Sequence, residues 1–155
     1  MLPDPLQSHL NMVRNQRHKL LFIIENNTPN LEKLLADLAE GRIPIINPNL
    51  VLADQMRRIP PNERPFEVNR ILRAHLAEFE TGIVCFRHIE YLFDPELKQD
   101  PIRLFESLSG NRILIIIWPG EAKEGTLCYA SPDHDEFYQN SEYAHAIYPM
   151  KREEE

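Results

Sequence analysis

Glycine, cysteine and tryptophan are scarce in this chain, which has five, two and one of them among 155 residues. Two cysteines, Cys85 inside an apolar run and Cys128, do not make the disulfide framework of a small exported domain. No apolar stretch approaches the roughly 20 residues that cross a bilayer, and the first residues lack the charged and apolar regions of a signal peptide. These absences predict a cytoplasmic protein without a membrane segment.

Basic residues are also in deficit, with 17 Lys and Arg against 24 Asp and Glu, for a net charge of −7. Because nucleic-acid affinity depends on neutralising phosphates, direct DNA binding is not the expected function. Acidic residues are interspersed among the arginines of the middle of the chain, so an ion-paired face is the default interpretation and a phosphate-contacting face the alternative. These arginines are Arg57, Arg58, Arg64, Arg70 and Arg73.

The metal-ligating and nucleophilic residues form no recognisable catalytic pattern. The six histidines include no H-x-x-x-H spacing, and Asp133-His134-Asp135 is interpreted as a polar loop. Ser107 and Ser109 show no nucleophile-elbow signature. Glu90 is either a displaced catalytic carboxylate or, more commonly for such a position, an acid at a helix start. The sequence therefore predicts no metal, no cofactor and no catalytic residue.

Apolar runs of strand length alternate with helical patterns, and thirteen prolines punctuate them. This alternation predicts a three-layer α/β fold with a parallel sheet of about five strands, in one domain over residues 1–150 with an acidic tail at 151–155. In the second helix, Thr28 is the expected N-cap and Pro29 the first helical residue. The predicted strands are 19–24, 43–46, 83–86 and 113–118, with 126–130 as a fifth at an edge, and the predicted helices are 6–18, 29–40, 49–58, 66–79 and 102–108.

The turn after the first predicted strand lies where a P-loop would be, with the wrong residues in it. A working G-x-x-x-x-G-K-[ST] loop wraps backbone N–H groups round phosphates, while its Lys neutralises them and its hydroxyl holds Mg²⁺. Here Glu25 and Asn30 replace the glycines, Leu31 replaces the lysine and Glu32 replaces the hydroxyl residue. Two carboxylates would repel a polyphosphate, so nucleotide binding at this turn is not expected.

The third predicted strand departs from a P-loop ATPase in the same way. It should end in the Asp that orients Mg²⁺, but it ends in Arg87-His88. An arginine cannot coordinate Mg²⁺, so both halves of the catalytic apparatus are missing. The position of Arg87 predicts an ion pair with Glu25 or Glu32, and a partner-facing cation is the alternative.

Several short motifs lie across roughly residues 19–135, and the segment Ile89–Pro101 is the most specific of them. The others are Pro44–Leu50, Arg64-Pro65, Leu108–Arg112 and Trp118–Glu121. Together they resemble the BrxF family, the small P-loop-containing subunits of type III BREX bacteriophage-exclusion systems. Members of that family usually carry a G-x-x-x-x-G-K-T loop and an Asp after the third strand, and this sequence departs at both.

The resemblance implies a P-loop NTPase-like fold and a role in phage defence. Together with the two departures, it predicts a non-catalytic accessory subunit that acts by protein–protein interaction. The implied partners are other phage-defence proteins, with the large ATPase subunit as one candidate, and an oligomer is compatible with this role. Two alternatives stay open: a diverged ATP-binding NTPase subunit of the same system, and a DNA-binding adaptor.

Ligands of open parallel sheets meet the carboxyl ends of the strands, so a partner is expected at that edge. The candidate partner surface comprises Arg87, Tyr91, Arg112 and Trp118. Trp118 either anchors a partner, as tryptophans at interfaces often do, or completes the core of the fourth strand. Arg112 either reaches a neighbouring subunit's nucleotide as an arginine finger or is a helix-end cation.

Overall fold

Five parallel strands form the central sheet of this α/β protein, as a computed structural model shows for residues 2–28 and 30–148. In these described residues eight strands make two sheets, a parallel one of order β2-β3-β4-β1-β8 and an antiparallel one of order β5-β6-β7. The strands are β1 Leu20–Ile24, β2 Ile45–Ile46, β3 Ile83–Phe86, β4 Ile113–Trp118, β5 Glu121–Lys123, β6 Thr126–Tyr129, β7 Tyr138–Asn140 and β8 Ile147–Tyr148.

The central strands β1 and β4 are buried at every residue, so both faces of the sheet are covered. This burial explains why they appear in the sequence as continuous apolar runs rather than as alternating patterns. Aromatic side chains fill the core between layers, with Phe22, Phe86, Phe105 and Trp118 essentially inaccessible to solvent. The middle of the core is therefore formed by the strands that the sequence identified most clearly.

Helices cover the sheet, and local sequence sets where several of them begin. The Asn47 Oδ1 atom accepts the Leu50 N–H (3.0 Å), and Asp100 lies at the corresponding N-cap of the last helix. A proline stands in the first turn in both cases, where its missing N–H costs nothing. The helices are α1 Asp4–Arg14, α2 Leu31–Glu40, α3 Pro48–Met56, α4 Val68–Leu76 and α5 Pro101–Ser109. None of these helices has the length and apolarity that crossing a membrane requires.

The fifth strand of the parallel sheet is not the one that the sequence predicts. Residues 126–130 were expected at its edge, but β6 pairs with β5 and β7 in the separate antiparallel sheet. The fifth parallel strand is instead β8, which pairs with β1 through only two residues. A strand this short has no periodic pattern in the sequence. Its position depends on contacts with residues that are distant in the chain.

The start of α2 also differs from the prediction. The helix begins at Leu31 with Asn30 as its N-cap, so Thr28 is not the cap. The Thr28 hydroxyl instead donates to the Ile24 carbonyl oxygen at 2.7 Å. Pro29 and the predicted acidic tail lie outside the described residues. The predicted helix 66–79 is shorter in the structure, because Phe66 ends the 3-10 turn Pro61–Phe66 and α4 covers only Val68–Leu76.

Candidate functional site

The candidate site lies at the carboxyl edge of the parallel sheet. The ends of β1 and β4 are level there, because Ile24 is in register with Trp118. On the other side of β4, the neighbouring strand β3 and the edge strand β2 end together, because Ile46 is in register with Phe86. The connections that leave these strands therefore meet at one edge, which is the usual ligand site in open α/β sheets.

The backbone at the P-loop position forms a short turn that is followed by one residue in the left-handed conformation. Residues Glu25–Asn27 form a 3-10 turn, and Asn30 adopts the left-handed conformation with φ 56°. Asn tolerates that conformation better than most residues, so it can stand where a P-loop has a glycine. Leu31 is partly buried and packs against the core. The residue at the phosphate-binding lysine position is therefore part of the hydrophobic packing.

Arg87 forms the predicted ion pair, and its partner is Glu32 rather than Glu25. The Arg87 Nη2 atom lies 2.7 Å from Glu32 Oε2 and joins the end of β3 to the start of α2. The Glu32 side chain is 76% exposed, so the pair is open to solvent on its carboxylate side. The Nε of Arg87 is buried and has no hydrogen-bond partner in the described part of the chain.

A second cation beside this loop is also paired with a carboxylate. Lys33 Nζ lies 3.2 Å from Asp37 Oδ2, one helical turn further along α2. Arg87 and Lys33 are two cations near this turn, and each already neutralises a carboxylate. An incoming phosphate would compete with both pairs and meet the charge of Glu32.

The segment after Arg87 is held against α3 by one asparagine. The Asn49 Nδ2 donates to Glu90 Oε1 at 3.1 Å, and Asn49 Oδ1 accepts the Tyr91 N–H at 2.9 Å. Glu90 opens the 3-10 turn Glu90–Phe93, which fits the interpretation of an acid at a helix start. His88 is exposed and has φ 71°, so the chain bends sharply as it leaves β3.

Trp118 is not exposed, so it cannot be the partner's anchor in this structure. Its accessibility is 0%, and its ring makes edge contacts with Phe22 and Phe93 at centroid distances of 5.8 and 5.4 Å. The indole Nε1 donates to the Cys128 carbonyl oxygen at 3.0 Å. The alternative stated above, that Trp118 completes the core of β4, is the correct one.

Arg112 lies away from the candidate site. It precedes β4, at the amino edge of the sheet, and its guanidinium donates to the carbonyl oxygens of Leu76 (3.1 Å) and Phe79 (2.9 Å). These carbonyls belong to the end of α4 and the turn that follows it. These contacts fit the interpretation of Arg112 as a helix-end cation. Arg112 is therefore not part of the candidate partner surface. Arg87 and Tyr91 remain there.

The arginines of the middle of the chain are mostly held by local partners. Arg57 pairs with Asp54 at 3.2 Å, and Arg70 pairs with Glu67. Arg73 donates to the Ser107 carbonyl and hydroxyl oxygens at 3.0 and 2.8 Å. These contacts fit the ion-paired interpretation better than a row of cations presented to a phosphate backbone. Ser107 is accordingly a hydrogen-bond partner in a helix contact.

Burial raises the pKa of the Cys85 thiol to about 12, so this cysteine stays protonated at neutral pH and is no nucleophile.

Asp133 bonds to Ser131, and its pKa is lowered chiefly by that hydrogen bond. Residues 2–28 and 30–148 contain no group of three or more His, Cys, Asp or Glu side chains placed to hold a metal ion.

A groove between α3 and the turn Glu90–Phe93 is the feature of this site that sequence reasoning missed. It has a volume of about 440 Å³, and we call it the α3 groove. Tyr91 is the residue of the predicted partner surface that lines it. No local pattern could have revealed it, because its walls come from separate parts of the chain. The lining residues are Asn49, Ala53, Met56, Arg57, Arg64 and Tyr91.

Comparisons of this chain with models of known protein families, with curated protein sequences and with solved structures find no match.

Proposed function

We propose that this chain is a non-catalytic binding subunit built on a P-loop NTPase-like scaffold. A P-loop ATPase needs the loop after its first strand and the end of its third to meet, so that phosphates and Mg²⁺ share one site. The contact between Glu32 and Arg87 is such a meeting, made across the intervening β4. This meeting supports a P-loop NTPase-like scaffold. The residues that bind phosphate and Mg²⁺ in a P-loop ATPase are absent from it.

The ion pair between Arg87 and Glu32 is the observation that carries the proposal. These residues stand where the Mg²⁺-orienting Asp and the Mg²⁺-binding hydroxyl would be, and they neutralise each other at 2.7 Å. Leu31, at the lysine position, faces the core instead of a phosphate. A fold and its active site are separable, so the scaffold can persist with binding as its remaining function.

The resemblance described above suggests the setting of this binding function. We propose a cytoplasmic accessory subunit of a BREX-type phage-defence assembly, which contacts another protein of that assembly. The large ATPase subunit is one candidate partner. Support for protein contact over DNA contact comes from the net charge of −7 and from the local ion pairs of Arg57 and Arg70.

Nucleotide titration tests the non-catalytic part of the proposal. ATP with Mg²⁺ at millimolar concentration should leave the melting temperature unchanged and should not be hydrolysed, because only ligands that bind the native state stabilise it. A P-loop ATPase at 100 times its Kd would gain about 2.7 kcal/mol, which is a shift of several degrees. A saturable shift with hydrolysis would make the chain a diverged NTPase instead.

Reconstitution with candidate partners tests the second part. The chain should co-elute with one of the other purified proteins of a BREX-type system in size-exclusion chromatography, with no nucleotide required. A mobility shift of labelled duplex DNA that weakens steeply with salt, together with no co-elution, would favour the DNA-binding adaptor.

A further inference from the structure

The α3 groove is an apolar recess at the surface, beside the carboxyl edge of the sheet. Met56, only 2% exposed, and the ring of Tyr91 give it an apolar lining, and Ala53 leaves room between them. A volume of about 440 Å³ suits a few side chains of a partner rather than a large cofactor. The shape of the groove is therefore that of a short-segment binding site.

The two most exposed large hydrophobic side chains in the described residues stand next to this groove in the chain. Leu50 is 67% exposed and follows Asn49 on α3. Phe66 is 81% exposed and follows Arg64 by two residues. Leu50 belongs to α3 and Phe66 to the turn Pro61–Phe66, so both add exposed apolar surface to elements that supply lining residues of the groove.

The charge at the groove is opposite to the charge of the molecule. Its charged lining residues are Arg57 and Arg64, with no carboxylate among the lining set, in a chain of net charge −7. Arg57 pairs with Asp54, but both side chains are about two-thirds exposed, so the pair is weak and a partner's carboxylate can replace it. Glu90, a carboxylate next to the groove, is bonded to Asn49. Arg64 is fixed through Nε, which donates to the Ile59 carbonyl oxygen at 2.8 Å, and no carboxylate of residues 2–28 or 30–148 forms an ion pair with it.

The walls of the groove are held in place before any partner arrives. Asn49 bonds to both Glu90 and the Tyr91 backbone, so that it clamps α3 to the turn Glu90–Phe93. Asn47 caps the start of α3. A pre-formed groove loses little conformational entropy on binding, which leaves more of the contact energy for affinity.

We infer that the α3 groove binds a short acidic, amphipathic segment of a partner protein. Apolar side chains of the segment would enter between Met56 and Tyr91, and its carboxylates would meet Arg57 and Arg64, where the Nη groups of Arg64 can donate to the carboxylate oxygens. Such segments are a common mode of protein recognition. This inference rests on the proposed function, because it names the chemistry of the partner that a binding subunit would take.

Peptide selection on the purified chain tests the inference. A phage-displayed library of random peptides is selected on the immobilised protein, and the enriched sequences are measured as labelled peptides by fluorescence anisotropy. We expect sequences with Asp or Glu beside aromatic or aliphatic residues. Ala53→Glu, which places a carboxylate in the groove, should weaken their binding at least about tenfold.

Matched variants show whether the effect belongs to the groove. Ala36→Glu makes the same change at an exposed helical alanine of α2, and it should leave affinity unchanged. Should Ala53→Glu not fold, Arg57→Ala replaces it and should also weaken binding, with Arg58→Ala as its control, because Arg58 is an exposed arginine outside the lining set. Each variant is compared with the wild type by circular dichroism.

Two outcomes would overturn the inference. One is enrichment of peptides without acidic residues, or of peptides that bind Ala53→Glu as well as the wild type. The other is salt-dependent binding of a fluorescein-labelled DNA duplex that Arg57→Glu abolishes and the acidic peptides do not displace. ATP-dependent stabilisation with intact peptide binding would instead refute the proposed function and leave the groove assignment in place.

Discussion

Trp118 shows how much one residue's surroundings decide its role. The same side chain would be an anchor on the surface, but here it is enclosed by Phe22, Phe93 and the backbone of β6. We expect Trp118→Ala to lower the free energy of unfolding by about 3–5 kcal/mol, because a buried aromatic leaves a cavity. Urea unfolding followed by circular dichroism measures this loss. A variant as stable as the wild type would show that the indole is not in the core.

The pair between Arg87 and Glu32 should be weak, since the glutamate side chain is 76% exposed. We expect a coupling energy of about 0.2–1 kcal/mol in a double-mutant cycle of Arg87→Ala and Glu32→Gln, measured by urea unfolding. High salt should reduce it further. Lys33→Ala in place of Arg87→Ala is the control, because Lys33 pairs with Asp37. Simple additivity of the two changes would refute the pair.

The residues of the site differ in whether the sequence alone could predict their contacts. The ion pair of Arg87 was predictable, because parallel strands bring the loop after β1 and the end of β3 to one edge. The position of Trp118 in the sequence did not predict its burial, since the last residue of a strand can face either the core or the solvent. Its partners Tyr138 and Cys128 belong to the antiparallel sheet, which the sequence did not reveal as a separate unit.

At the scale of elements, β8 depends on side chains that tie the preceding segment to α5. The Tyr143 hydroxyl donates to Glu106 Oε2 at 2.5 Å. Arg103 joins Glu106 at 3.0 Å and Glu142 at 2.7 Å. A strand of two residues makes few backbone hydrogen bonds, so these contacts contribute to its position beside β1. They join residues 37 and 39 apart in the chain, which explains why no local pattern indicated β8.

Tyr143 should make the protein sensitive to alkali. Burial, followed by its hydrogen bond to Glu106, raises the pKa of this phenol above its usual 10. Above about pH 10 the unfolded chain loses this proton while the folded chain keeps it, so the free energy of unfolding falls as pH rises. We expect Tyr143→Phe to flatten this fall, as measured by urea unfolding between pH 9 and 11.

Tyr138 provides a second case of the same effect, because burial and its hydrogen bond to Asp100 raise its pKa. Tyr138→Phe should flatten the alkaline fall as well, and the double variant should flatten it most. Equal slopes for the wild type and all three variants would show that neither phenol changes its proton affinity on folding.

The sequence predicted a strand or helix well where the residues of that element themselves form the apolar pattern that identifies it. Continuous apolar runs located β1, β3 and β4, and the spacing of Val68, Ile71, Leu72 and Leu76 located the buried face of α4. Prediction failed where geometry depends on a distant partner. The α3 groove exists because Asn49 reaches residues 41 and 42 positions further along the chain, a contact that no periodicity encodes.

At the scale of the whole molecule, the two sheets differ in how much of them is buried. Every residue of β1 and β4 is buried, whereas Leu127 is the buried residue of the antiparallel sheet. We expect amides of β1 and β4 to exchange slowest with deuterium and those of β5 to β7 to exchange faster, because local opening costs less where little apolar area is buried. Mass spectrometry of peptic fragments measures this difference.

Equal protection of fragments covering 113–118 and 121–140 would contradict this expectation. It would show that the antiparallel sheet opens only together with the central one.

The chain's one tryptophan also gives the molecule an optical reporter. Its indole lies where the two sheets meet, bonded to a backbone carbonyl of β6, and is shielded from water. Emission from the native protein should therefore be blue-shifted. Detachment of the antiparallel sheet would expose the ring and shift the emission to longer wavelength before the helical ellipticity changes. Stopped-flow fluorescence can thus time the separation of the two sheets without an added dye.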